Sequence, residues 1–451
     1  MGIFATFQGS LVIFFFGLAL FVFLCFTDLP RIYSVIICVL IFSIGITQNP
    51  LLTVFTTLLE GTTSVIQSYL FASLAGACVG CAMSATGCAN TLANFILRLV
   101  GEKNGILAIQ LVAALVCASG ALGHTFIVLP VALAIARRCN LHRGVAMMLY
   151  VSQVQIIQWS LVAIPGLPNL LPAGILGVTI YEHPVMSITG CLVAEILIFI
   201  IANLFARNDK KKGKGFEEKA EINVFKTPDL IPEEMLPPVW FSLLPMVFMI
   251  GGSLLLSNLG LGSTAAAVCA QAFTVVFLVI TRRNYWTPTM PNMKNKVAEL
   301  NQSMMNILPM IVTTGFIGGM GSVISSMVWY EPALDWALSL DLSPYLLAGV
   351  VIMIVCFITS DGISGMQMFL STMGEQFMAI PGIDLGALHR VITSSACTVE
   401  SMPWTAGCYN YNAYYGMTVK TGWKYHFIGT VGITLFLAFF FIIWSTIAWP
   451  C

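Results

Sequence analysis

Long stretches without a single charged residue constrain the fold of this chain more than any other feature. Five of them approach the length of about 20 residues that a membrane-spanning helix requires. They are Ser10 to Phe26, Ile32 to Ile46, Val239 to Ser257, Gly262 to Thr281 and Phe427 to Trp449. Overall, 58% of the residues are hydrophobic and only 9% are charged. We therefore predict an all-α polytopic membrane protein whose first apolar run is a retained helix and not a signal peptide.

The chain also contains an internal duplication. Leu141-His142-Arg143 recurs as Leu388-His389-Arg390, and the glycine-rich run at 76–80 recurs at 315–319. Duplicated halves of this kind are typical of transport proteins. We predict a first repeat over residues 1–206, a linker over 207–238 and a second repeat over 239–451.

Charges in the loops predict that the two repeats are inverted relative to each other. The lysine-rich linker is expected on the cytoplasmic side by the positive-inside rule, and we interpret it as a plain solvated tether. Residues 330–343 carry three acidic and no basic residues and should face outside, whereas the corresponding residues 98–104 carry two basic residues and should face inside. The resulting topology has two inverted repeats, with about ten transmembrane helices plus two re-entrant or broken hairpins near 105–136 and 344–377.

Helix-breaking segments at membrane depth locate the predicted site, because irregular backbone is tolerated there only inside protein or beside a wet cavity. Two such segments, 119–125 and 359–365, interrupt the hairpins, and two more, 164–169 and 402–407, contain proline and glycine. Helix N-termini that follow such breaks can bind anions. The predicted substrate-binding residues are Gly123, His124, Thr125, Gln155, Asn169, Ser360, Gly362, Ser364 and Thr405.

Three acidic residues within the apolar segments are candidates for ion coupling. They are Asp361, Glu400 and Glu195. A charge at the bilayer centre costs about 2.5–3.5 kcal/mol on insertion scales, so such residues usually have a function. We interpret them as carriers of a proton or ligands of Na⁺; the alternative is a structural hydrogen-bonding role, which is equally compatible with Glu195.

Other functions find less support in the sequence. The formal net charge is zero, which argues against nucleic-acid binding. We expect no cofactor and no metal centre, because Cys78 and Cys81 form a lone C-x-x-C without a second pair. The motifs of known intramembrane enzymes are missing, and so is a filter-like carbonyl run of a channel. A cation/proton antiporter is the alternative to a symporter of a small organic anion. The glycines around 76–87 and 315–321 are expected to serve helix packing.

Two regions resemble the gluconate permease family. One runs from Leu388-His389-Arg390 to Glu400 and Pro403, and the other contains Gly101-Glu102-Lys103 and, further on, Ala136-Arg137-Arg138. The resemblance implies a proton-coupled carrier of small organic acids in the bacterial inner membrane, within a superfamily of ion transporters that have paired re-entrant hairpins. The resemblance is also compatible with a homodimer.

The sequence departs from that family at the predicted site. The family typically has histidine, asparagine and glycine after its late proline, where this chain has Trp404-Thr405-Ala406. It also tends to have an aspartate in the first hairpin break, where this chain has Leu122 and, close by, His124. A more apolar cavity would suit a short carboxylate or a zwitterion better than a sugar acid.

Overall fold

The computed structural model describes residues 6–27, 29–46, 49–101, 103–118, 124–164, 166–225, 231–261, 263–282, 293–338, 342–359, 361–399 and 401–451. All regular structure in these residues is helical, and they contain no β-strand. The prediction of an all-α protein is confirmed.

The helices occur in two series of similar order. The first series is α1 (Phe7–Cys25), α2 (Arg31–Phe42), α3 (Pro50–Ala85), α4 (Cys88–Val100), α5 (Gly105–Cys117), α6 (His124–Arg138), α7 (Arg143–Gln153), α8 (Leu167–Leu176) and α9 (Pro184–Lys211). The second series is α10 (Val239–Asn258), α11 (Ser263–Thr281), α12 (Met293–Ser325), α13 (Tyr330–Leu338), α14 (Pro344–Thr359), α15 (Gly362–Met378), α16 (Leu385–Ala396), α17 (Ala406–Tyr414), α18 (Val419–Phe427) and α19 (Ile433–Ala448). The third helix of each series is long, and a short helix, α8 or α17, follows each proline break.

Several helices are long and apolar enough to cross a membrane. Within the described residues there are four of them: Phe7–Leu24, Pro184–Lys211, Asn295–Ser325 and Val419–Ala448. Two bent pairs, Phe55–Gln67 with Leu70–Ala85 and Cys88–Val100 with Gly105–Cys117, would raise the number to six. The apolar runs predicted near residues 32, 239 and 262 form shorter apolar helices. The first and last predicted spans are confirmed, and the total of ten crossings stays a prediction.

Both predicted hairpins fold back on themselves. In the first, a Cβ on Gly105 at the start of α5 would lie 2.6 Å from Sγ of Cys139, just beyond the end of α6. In the second, the Tyr345 hydroxyl at the start of α14 accepts a 2.9 Å hydrogen bond from the backbone N–H of Asp384, beyond the end of α15. The arms of each hairpin pack against each other. Each segment therefore begins and ends at the same place in the fold.

The two hairpins open at opposite ends of α9. At its start, Nε2 of His183 lies 2.7 Å from Oδ1 of Asp384, beside the opening of the second hairpin. At its end, Asp209 accepts a 2.8 Å hydrogen bond from Tyr425, whose ring stacks on His142 beside the opening of the first hairpin. With 28 residues α9 is roughly 40 Å long, which exceeds the roughly 30 Å hydrocarbon core.

The two repeated Leu-His-Arg motifs tie the two halves together. Arg390 is completely buried, and its guanidinium donates to the backbone oxygens of Ile180 at 2.5 Å and Glu182 at 3.2 Å and to Oδ1 of Asn169 at 3.3 Å. Nε2 of the neighbouring His389 lies 2.9 Å from the backbone oxygen of Asn169. The second half thus binds the chain around α8 of the first half.

Arg143 makes the converse contact with the help of the linker. Its guanidinium donates to the backbone oxygen of Tyr415 at 3.4 Å and to that of Glu217 in the linker at 2.8 Å, and it lies over the ring of Phe216. Each motif arginine therefore reaches the segment after the short helix of the other half.

The linker is not the plain solvated tether that we expected. Val224 and Phe225 are buried, and the Phe225 ring packs between Phe126 of α6 and Tyr414 of α17. The backbone N–H of Glu221 donates to the backbone oxygen of Gly416 at 2.8 Å. The prediction is wrong for residues 216–225 because their apolar side chains and backbone groups find partners on both halves.

The loop residue Asp384 gives a testable pH dependence. Burial raises its pKa, but hydrogen bonds from His183 and from the backbone N–H groups of Ala387 and Gly386 outweigh burial and hold the pKa below its ordinary value. Such a carboxylate stabilises the fold above its unfolded pKa of about 3.9, and this contribution is lost as the pH falls through the lower folded pKa. Since Asp384 also caps α16, we expect Asp384→Ala to cost about 1 kcal/mol at neutral pH.

Thermal unfolding of the purified protein at pH 7 and near pH 3 measures this effect. The difference between Asp384→Ala and the unmodified protein should shrink at the lower pH, and Asp384→Asn, which keeps a capping oxygen, should lose less at pH 7. An equal difference at both pH values would contradict the assigned role of the carboxylate.

Candidate functional site

The first hairpin presents a buried polar cluster where its second arm begins. Nδ1 of His124, the first residue of α6, lies 2.7 Å from the Tyr150 hydroxyl, and Oγ1 of Thr125 lies 2.5 Å from the same hydroxyl. The side chain of Gln158 also interacts with His124. The predicted residues His124 and Thr125 are thus brought together around Tyr150, which the sequence analysis missed.

The helix that carries Tyr150 ends in a π-helical turn. Residues Val154–Ser160 continue α7 with one more residue per turn, and the backbone becomes extended at Leu161. Gln155 and Gln158 are both buried in this turn. π-helical turns inside helices occur frequently at functional sites. The helix therefore ends at Ser160, several residues before the break that Pro165 and Gly166 predicted.

The second half closes one side of this cluster. The ring of Tyr411 lies edge-on to Tyr150 with centroids 5.7 Å apart, and Tyr415 stacks on Tyr150 at 6.2 Å. The His426 ring stacks on Tyr411 at 5.8 Å, is fully buried, and has no hydrogen-bond partner on either nitrogen in the described structure. The sequence signal that could have predicted these contacts is the group of tyrosines after Pro403, which includes Tyr411 and Tyr415.

Asn169 and Thr405 are engaged within the protein. The Asn169 amide donates to the backbone oxygen of Gln158 at 3.0 Å and accepts from Arg390. Thr405 caps α17, since its hydroxyl donates to the backbone oxygen of Met402 at 2.8 Å and accepts from the N–H of Cys408. A substrate that contacted either side chain would have to replace one of these internal bonds.

The second hairpin places Asp361 at the start of α15. Its backbone oxygen accepts hydrogen bonds from the Thr359 hydroxyl and from the N–H of Gly365, each at 3.0 Å. A Cβ on Gly321 would lie 2.7 Å from the backbone oxygen of Thr359, so α12 packs directly on this break. Gly362 is the first residue of α15. A carboxylate at a helix N-terminus lies at the positive end of the helix dipole.

Some predicted residues lie outside what the structure describes. Gly123, Ser360 and Glu400 are not among the described residues, and for Ser364 only the backbone is described. Glu195 belongs to a different cluster, in which its Oε2 accepts hydrogen bonds from the side chains of Gln110 and Gln153.

The second arm of each hairpin contacts the short helix of the opposite half. α15 packs against α8, and Phe126 of α6 contacts Tyr414 of α17 with ring centroids 6.1 Å apart. The helices that follow the four breaks are therefore in contact in two pairs between the halves.

Comparisons with known proteins agree with a membrane transport protein only in general terms. No protein-family model matches the chain. A protein of Bacillus subtilis described as the uncharacterized transporter YxjC is 23% identical over 454 residues, covering 92% of this chain and 94% of its own length. The crystal structure of the Alcanivorax borkumensis YdaH transporter covers 89% of this chain and 90% of its own, with 15% identity and a TM-score of 0.43, a likeness too low to establish a shared fold.

Proposed function

We propose that this chain is a secondary active transporter that moves a small organic anion together with a cation, H⁺ or Na⁺, by alternating access. One observation carries the proposal: two helix hairpins, broken at polar or glycine-rich segments, open at opposite ends of the membrane-length helix α9. Broken helices of this kind form substrate sites in transporters. The Bacillus subtilis relative, which is described as an uncharacterized transporter and aligns over 94% of its length, supports the role.

The proposed architecture is a pair of inverted repeats, residues 1–206 and 239–451, joined by a cytoplasmic linker at 207–238. The reciprocal contacts of Arg143 and Arg390 support a two-fold relation between the halves. The proposed location is the bacterial inner membrane, and membership of the gluconate permease family is a hypothesis that rests on the sequence resemblance.

The proposed substrate site lies at the two hairpin breaks. The N-termini of α6 and α15 would hold a carboxylate through the backbone N–H groups of their first turns and the positive end of the helix dipole. Trp404 is buried and packs edge-on against Phe357 at 4.9 Å, so the neighbourhood of the second break is apolar. This favours a short carboxylate or a zwitterion as substrate over a sugar acid.

The candidate residues for ion coupling are Asp361 and Glu400, at the breaks of the second half, and Glu195, in the separate cluster with Gln110 and Gln153. Loading of a cation would neutralise a carboxylate that is costly at membrane depth and would thereby favour the substrate-bound state. The two pseudo-symmetric hairpins would then exchange their exposure to the two sides of the membrane.

Uptake by the purified protein in proteoliposomes tests the function. A panel of labelled carboxylates is offered under an inward proton gradient, an inward Na⁺ gradient or no gradient. We expect concentrative uptake of at least one short carboxylate under one of the gradients. Gradient-driven cation exchange without uptake of any carboxylate would support a cation/proton antiporter instead.

We expect Asp361→Asn to abolish accumulation of the substrate against its gradient. The variant should still exchange external for internal substrate. The amide cannot carry a proton or a negative charge, so the transport cycle would lose its coupling but keep its binding site. Glu331→Gln, on the exposed start of α13, is the matched control and should accumulate substrate normally. Concentrative uptake by Asp361→Asn would rule out its coupling role.

A further inference from the structure

A second polar cluster lies inside the first half, away from the hairpin breaks. It is formed by Gln110 on α5, Gln153 on α7 and Glu195 on α9. Nε2 of Gln153 donates to Oε2 of Glu195 at 2.9 Å, and Nε2 of Gln110 donates to the same oxygen and, at 3.1 Å, to the Glu195 backbone oxygen. Glu195 is the twelfth of the 28 residues of α9, which places it near the middle of the membrane.

Three oxygens of this cluster are buried and have no hydrogen-bond partner among the residues that the structure describes. They are Oε1 of Glu195, Oε1 of Gln110 and Oε1 of Gln153. Gln153 is completely buried and Gln110 is 6% exposed. Since the oxygen and the nitrogen of an amide share one carbon atom, both amide oxygens lie within a few ångströms of the carboxylate. Unpaired buried acceptors are rare in native proteins because each forfeits its hydration.

The charge of the cluster is also uncompensated. Within the described part of the chain, no lysine, arginine or histidine forms an ion pair with Glu195. Two amide N–H groups on one carboxylate oxygen fit an ionised carboxylate, and they turn the amide oxygens away from that atom. The cluster therefore combines one negative charge with three oxygens that can accept a cation.

We infer that Glu195, Gln110 and Gln153 form a binding site for a small monovalent cation, Na⁺. A proton on Oε1 of Glu195 would satisfy that atom and at most one amide oxygen, whereas a cation bound by Oε1 and both amide oxygens would satisfy all three. Ca²⁺ sites usually gather several carboxylates, and this cluster has one. The inference rests on the proposed transport function, of which it names the coupling ion.

The proposed site includes a residue from the first arm of the first hairpin. Gln110 lies on α5, the arm that leads to the break at 119–123, whereas Gln153 and Glu195 lie on helices outside the hairpin. Bound Na⁺ would hold this arm against α7 and α9 and thereby fix the break from which His124 and Thr125 follow. The corresponding arm α14 contains no carboxylate or amide side chain. The hairpin arm of the second half therefore cannot supply the amide that Gln110 supplies in the first half.

Stability measurements on the purified full-length protein test the site without any transport assay. We expect NaCl, but not an equal concentration of choline chloride or KCl, to raise the midpoint of thermal unfolding by several degrees with a saturable concentration dependence. Glu195→Gln and Gln153→Leu should lose this rise. Gln271→Leu, which alters a buried glutamine on α11 outside the cluster, should retain it.

Direct binding of radioactive sodium is the second measurement, made on the unmodified protein and on Glu195→Gln after size-exclusion chromatography has shown that the variant is folded. One bound ion per chain, lost in Glu195→Gln, supports the site. Stabilisation by low pH without any effect of Na⁺, or sodium binding that survives Glu195→Gln, would overturn it. Carboxylate uptake driven by a proton gradient alone would then leave the transport function standing, whereas Na⁺ stabilisation without carboxylate uptake would leave only the ion site.

Discussion

Arg390→Ala should destabilise the folded protein by roughly 3–5 kcal/mol, the largest effect that we expect of a single substitution. Hydrogen bonds from a charged group contribute about 1.5–3 kcal/mol each, and Arg390 makes three of them while it is completely buried. Its removal would leave the backbone oxygens of Ile180 and Glu182 without these donors. The chain around α8 would then lose its attachment to the second half.

Thermal unfolding and size-exclusion chromatography of the detergent-solubilised protein measure this loss. Arg390→Lys should recover only part of it, because an ammonium group does not reproduce the planar fork of a guanidinium. Arg98→Ala is the control, since the Arg98 side chain is 72% exposed and lies 4.0 Å from Glu233; it should change stability by less than about 0.5 kcal/mol. An unfolding midpoint for Arg390→Ala equal to that of Arg98→Ala would refute the role of Arg390 as the tie between the halves.

Gly319→Ala and Gly251→Ala should shift stability in opposite directions, although both replace a helical glycine. A Cβ on Gly319 would lie 2.5 Å from the backbone oxygen of Leu58 and from the hydroxyl of Thr62, so α12 and α3 would have to separate. We expect a loss of about 1–3 kcal/mol, as for overpacked cores. Gly251 faces open space, and there alanine should gain up to about 1 kcal/mol from its helix propensity.

The same pair of variants separates packing from a role in the transport cycle. If the interface of α3 and α12 is only structural, Gly319→Ala should lose stability and transport activity in parallel. Equal stability of the two variants would contradict the close approach of these helices. Gly315 and Gly318 also face α3, so the expectation that the glycines of this run serve helix packing is confirmed for them as well.

The sequence predicted the parts of the fold that follow from local pattern. Glycine and hydroxyl residues indicated where the hairpins break, and the structure places the start of α6 at His124 and that of α15 at Gly362. The repeated Leu-His-Arg motif indicated a duplication, but not that the motif arginines would bind backbone oxygens of the opposite half. Such contacts join residues more than 200 positions apart, and no local pattern encodes them.

The candidate site was predicted only in part, for two physical reasons. Tyr150 reads as one more apolar position of a buried helix, and only its contacts with His124 and Thr125 reveal its polar role. The π-helical turn at Val154–Ser160 contains no proline or glycine from which it could have been predicted. Glu195 was recognised from its charge, but its glutamine partners come from two other helices.

The docked linker makes the junction between the halves part of the folded unit. Residues 216–225 contact Arg143 and Phe126 of the first half and Tyr414 and Gly416 of the second. Two separately synthesised fragments would therefore need this segment on one of them to reassemble, because without it the buried guanidinium of Arg143 would lose its hydrogen bond to the backbone oxygen of Glu217. The natural point of division is Gly213, whose surroundings are open, and a cut there leaves the whole docked segment on the C-terminal fragment.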